Sequence, residues 1–101
     1  MKVIDKQIDY FLKKGIVASL RELPYKIDRE VLLNEKHKGK VIKIISNPNF
    51  RQLQVYQKLS GFGNTKEWIE ATKIINDGNK PQFLVVIEKL KENMKNQTAD
   101  N

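Results

Sequence analysis

The sequence predicts an α+β fold, a curved antiparallel sheet or small barrel with helices packed at its rim. Three observations lead there. Strand-like runs follow one another between residues 16 and 45 without a helical pattern between them, whereas parallel pairing needs a crossover element between partners. Helical periodicity is confined to the N-terminus and to the stretch after residue 49. The last run, Gln82 to Ile87, is apolar on both faces and so belongs in the middle of a sheet.

In chain order, Ile4, Ile8, Phe11 and Leu12 have helical spacing, which predicts a helix over 5–14 ended by Gly15. Residues 16–23 form a first strand, stopped by Pro24. Glu30 to Asn34 reads as a second strand and Val41 to Ile45 as a third. Between those two, Lys36-His37-Lys38-Gly39-Lys40 reads as a polar turn, which makes a hairpin with a basic tip. Asn47-Pro48-Asn49 is a breaker cluster; Phe50, Leu53, Val55, Tyr56 and Leu59 then predict a short helix.

The densest signal is Ser60-Gly61-Phe62-Gly63-Asn64-Thr65-Lys66-Glu67-Trp68. A glycine loop leads into a helix with Asn64 as N-cap and Glu67 three residues on, the spacing of a capping box. Trp68, Ile69, Thr72 and Ile75 share one face of that helix. Gly78 is expected to close it, and Pro81 forbids its continuation. The whole reads as one domain over 1–91, with a flexible polar tail at 92–101.

Nineteen Lys and Arg against twelve Asp and Glu give a net charge of +7 on 101 residues. Such an excess on a small domain favours a polyanionic partner, RNA first and DNA second, although solubility alone also accounts for a basic surface. With no cysteine, disulfides, thiolate zinc sites and thiol nucleophiles are excluded. No apolar run approaches the ~20 residues that span a bilayer, and no signal-peptide core is present. The expectation is a cytoplasmic monomer with no membrane contact, no metal and no cofactor.

Two segments, Phe11-Leu12-Lys13-Lys14-Gly15-Ile16-Val17-Ala18-Ser19-Leu20-Arg21 and Ser60 to Trp68, together with the closing strand Phe83 to Ile87, resemble the ASCH domain family of the PUA-like superfamily. The resemblance spans about residues 5–90. It implies a PUA-like barrel whose ligand cleft opens between barrel and helices, with Arg21 at its mouth. Some ASCH-like proteins are small amidohydrolases acting on N4-acetylcytidine-type nucleosides through a Lys, a Thr and a Glu. Ile16 and Val17 stand where that Lys and Thr would be, and neither transfers a proton.

The sequence therefore predicts a non-catalytic RNA-binding module. Its candidate contacts are Lys14, Ser19, Arg21, Tyr25, Lys26, Arg29, Lys38, Lys40, Lys43 and Arg51: the cations of the hairpin and cleft rim to hold phosphates, and Arg21, Ser19 and Tyr25 to contact a base or sugar inside the cleft. For each lysine taken singly, a solvated face is the simpler reading. Tyr56 also has a stacking ring, but reads as core. Arg21 has a structural salt bridge as its rival role. The sole histidine, His37, reads as a loop residue rather than a general base, and Glu67 as a capping residue rather than an acid. Gly61-Phe62-Gly63 lacks the third glycine and preceding strand of a dinucleotide fingerprint. A rearranged nucleoside amidohydrolase and a protein-interaction module are the alternatives.

Overall fold

The computed structural model describes residues 1–76 and 81–90, with the Ile75 side chain excepted. Helix α1 (Asp5–Lys14) leads into strand β1 (Ile16–Arg21). Strands β2 (Glu30–Leu33) and β3 (His37–Ser46) follow, then α2 (Phe50–Tyr56) with a single 3-10 turn at Gln57–Leu59, α3 (Thr65–Ile75) and β4 (Phe83–Lys89). The proposed closing residue Gly78 and the 92–101 tail lie outside the described residues.

The strands form one antiparallel sheet in the order β1-β4-β3-β2. The late, apolar strand β4 is central, as its two-sided apolar pattern predicts, and Leu84, Val85, Val86 and Ile87 are all buried. One face of the sheet packs Val17, Val41, Val85 and Ile87 against Phe11, Leu33 and Val3. The other packs Ala18, Leu20, Leu84 and Val86 against Phe62 and Trp68. On α3, Trp68 and Thr72 are buried, as the helical spacing requires.

The hairpin turn lies earlier than the sequence suggests. Lys38, Gly39 and Lys40 belong to β3, and residues 34–36 make the turn, with Asn34 and Glu35 at φ 50° and 61°. Successive positive φ values are the mark of a mirror-image turn, which matches strand twist and which Asn tolerates. Gly39 is a close-approach glycine inside the strand: a Cβ there would stand 2.5 Å from Ile87 Cγ2 and 3.2 Å from Phe11 Cζ. Further along, a bulge between Val41 and Lys43 leaves Ile42 as the extra residue. Strand β1 stops at Arg21, two residues before the expected end, and Leu23 projects into solvent.

The two sheet edges are treated differently. On β1, Ala18 O accepts from the buried Gln7 Nε2 (3.1 Å) and Leu20 O from Asn76 Nδ2 (3.3 Å). On β2, the N-terminal residues lie alongside: the Met1 amino group donates to Leu32 O (2.8 Å) and Asn34 N to Met1 O (2.8 Å). Asn34 also grips Val3 through both ends of its side-chain amide, at 2.8 and 3.1 Å. Arg21 Nη1 donates to Lys2 O (2.6 Å), so residues 1–3 link the end of β1 to the edge of β2.

Candidate functional site

Strand β2 faces β3 through Arg29, Val31 and Leu33; Val41 N donates to Arg29 O, and Val31 stands opposite Gly39. Antiparallel alternation then turns the backbone groups of Glu30 and Leu32 away from the sheet. Met1 takes the Leu32 carbonyl. Among the described residues, no backbone partner meets the Glu30 groups or the Leu32 N–H.

A groove of about 510 Å³ wraps around this edge. Met1, Tyr25, Arg29, Glu30, Val31, Leu32 and Lys38 line it. Tyr25 is half-buried and, like Val31, packs against the Val17–Ile87 core, which supports it from one side. Arg29 and Lys38 are exposed, and among the described residues neither is in an ion pair. Glu30 belongs to the same lining, and its carboxylate is also without an ion-pair partner among the described residues. The lining contains no imidazole and no hydroxyl besides that of Tyr25. What it offers is positive charge, an aromatic surface and one hydrogen-bond-accepting carboxylate.

Three of the ten residues singled out from the sequence, Tyr25, Arg29 and Lys38, thus meet in one groove. The rest are dispersed. Lys40, on β3 opposite Glu30, has its ammonium 4.0 Å from Asp28. Lys43 lies beyond the bulge with its ammonium 5.6 Å from the centre of the Tyr56 ring, and Tyr56 packs against the Trp68 core. Lys14 is exposed at the end of α1, Lys26 in the loop before β2 and Arg51 in the first turn of α2. Ser19 is buried at 2% exposure. Arg21 is half-buried and bonded to the Lys2 carbonyl, so its structural partner is backbone rather than a carboxylate.

Val17 is wholly buried in the core, and neither it nor the half-buried Ile16 offers a proton-transferring group. The Gly61–Gly63 loop is occupied internally. Ser60 Oγ donates to Gln57 O (2.7 Å) and accepts from Phe62 N (3.1 Å). Gly61 has φ 85°, and a Cβ there would stand 2.8 Å from Lys6 O, so the loop is pressed against α1. Asn64 caps α3 by accepting from Glu67 N (2.8 Å). The Glu67 carboxylate does not complete a capping box; it pairs with Lys6 at 2.9 Å, tying α3 to α1.

The complete capping box is at α2 instead, where Asn49 Oδ1 accepts from Gln52 N and Gln52 Oε1 from Asn49 N. Its Asn-x-x-Gln spacing was available in the sequence. A second depression, of about 550 Å³, lies on α3 between Glu67, Glu70, Ala71, Lys73 and Ile74. Two carboxylates and an exposed isoleucine make it a poor seat for an anion. Among the described residues no group of three His, Asp or Glu side chains is placed to hold a metal, and no helix is long and apolar enough to cross a membrane.

Comparison of the chain with protein-family models, with curated proteins and with solved structures returned no match.

Proposed function

We propose that this domain is an RNA-binding module of the ASCH/PUA-like kind, and that the groove at the β2 edge is where it meets its ligand. The observation that carries the reading is the company kept by Tyr25, Arg29 and Lys38 in a single groove. Two cations without ion-pair partners among the described residues can engage successive phosphates, Arg29 in bidentate fashion, at little desolvation cost on an open surface. Tyr25, braced by the core, provides a rigid ring face for an unpaired base. The groove volume falls within the ~300–1,000 Å³ typical of ligand clefts. A net charge of +7 on the whole chain adds long-range attraction.

The test is fluorescence anisotropy with a single-stranded RNA, an RNA hairpin and duplex DNA across a range of salt. The single strand is expected to bind best, with log affinity falling linearly against log salt. Each phosphate-bound cation contributes a slope of about 0.7 on single strands. Arg29→Ala with Lys38→Ala is expected to flatten that slope by about 1.4, the loss of two such contacts. The same slope and affinity in the double variant would remove the groove from the reading.

A further inference from the structure

Glu30 is out of place in a groove built only for phosphates. Glu30 lines the same cavity as Arg29 and Lys38, its side chain on the sheet face that carries Lys38, yet among the described residues it neutralises neither. Lys40, directly opposite on β3, lies near Asp28 instead. A carboxylate repels phosphate but accepts hydrogen bonds through two oxygens side by side. Among the unmodified bases, guanine alone presents two adjacent donors, N1–H and the N2 amino group, on its Watson–Crick edge. Adenine, cytosine and uracil each present one. That edge is free only in an unpaired nucleotide.

Resting on the RNA-binding reading above, we propose that the β2 groove selects an unpaired guanine. Glu30 accepts from N1–H and N2–H, Tyr25 stacks on the base, and Arg29 and Lys38 hold the flanking phosphates. The open edge supports this assignment. On the β1 edge the outward carbonyls of the buried Ala18 and Leu20 are taken by Gln7 and Asn76, whereas on β2 the exposed Glu30 presents its N–H and C=O, and Leu32 its N–H, beside the groove. They add polar groups at the level where the base sits, so guanine O6 and N7 have a donor within the same lining.

The test compares a ten-nucleotide oligouridylate with the same strand carrying one central guanosine, inosine or adenosine, at fixed low salt. Guanosine is expected to tighten binding about tenfold over uridine, the effect of a hydrogen bond to a charged group. Inosine, which keeps N1–H and lacks the N2 amino group, should fall between, and adenosine should give no gain. Glu30→Gln is expected to level guanosine and uridine, because an amide has one acceptor where the carboxylate has two. Glu30 is exposed, so the variant should keep the thermal unfolding midpoint of the parent chain. Equal affinity for all four strands in the parent chain, or a guanosine preference that survives Glu30→Gln, overturns the guanine assignment and leaves RNA binding standing. Failure to bind any strand overturns the RNA-binding reading itself. An extended acidic peptide, the other occupant a free strand edge invites, is titrated in parallel. Saturable peptide binding that displaces the guanosine strand overturns the nucleotide assignment.

Discussion

At the scale of single residues, the two most exacting positions are Trp68 and Gly61. Trp68 is fully buried on the sheet-facing side of α3, and its indole N–H has no hydrogen-bond partner among the described residues. Its stabilisation therefore comes from apolar area and packing, with the orphaned donor working against it. Trp68→Ala is expected to cost about 3–5 kcal/mol. Trp68→Phe should cost well under half of that, since it keeps most of the ring and removes the unpaired donor. Urea unfolding of the two variants measures the difference; equal losses would mean that the N–H is satisfied. At Gly61 the left-handed φ and the approach of Lys6 O act together. Gly61→Ala is expected to destabilise by at least ~1–2 kcal/mol from backbone strain alone. The Lys6–Glu67 pair beside it is a weaker tie, because both side chains are about half exposed. Lys6→Ala should lose no more than about 1 kcal/mol.

At the scale of elements, local signals and tertiary contacts divide the work. Helix α1, strand β1 and the Trp68 helix were legible because apolar spacing and punctuation agree: Phe11 is buried where periodicity predicts, and Gly15 stops α1 at φ 77°. The hairpin turn was not legible because a lysine-rich, glycine-bearing run has the composition of a turn. Only the packing of Phe11 and Ile87 against the bare Gly39 backbone explains why a strand needs that glycine. Helix α2 buries no residue fully, so its capping box is its main local support. Asn49→Ala is expected to cost about 1 kcal/mol and to loosen α2 ahead of the rest of the domain. Within the sheet, the central strand β4 is paired on both sides and buried on both faces. Hydrogen exchange should be slowest at Leu84–Ile87, while the outward amides of Glu30 and Leu32 exchange fastest of all strand amides. Strong protection at Leu32 in the free protein would mean that the β2 edge is already covered.

At the scale of the whole molecule, the sequence carried the α+β class, the order of elements and the central place of β4. The pairing of edges through residues 1–3 was not legible, because it depends on Asn34 and Arg21 side chains reaching across 31 and 19 residues to backbone groups. The same limit applies to the candidate site. Charge and resemblance marked ten residues, Arg21 foremost, without showing which of them converge. The hairpin register and the loop before it draw Tyr25, Arg29 and Lys38 together, while Lys43 is carried beyond the bulge to Tyr56 and Ser19 into the interior. Glu30 carried no sign in the sequence that set it apart from other strand-edge carboxylates; only the structure places it in one groove with Arg29 and Lys38.

The most direct measurement is an amide chemical-shift map of the 15N-labelled protein titrated with a single-stranded RNA. Shifts are expected to concentrate on Tyr25, residues 29–32 and Lys38, with the α3 depression at Glu67–Ile74 unmoved. Shifts centred on α3, or none at RNA concentrations that saturate the anisotropy signal, would contradict binding at the β2 groove.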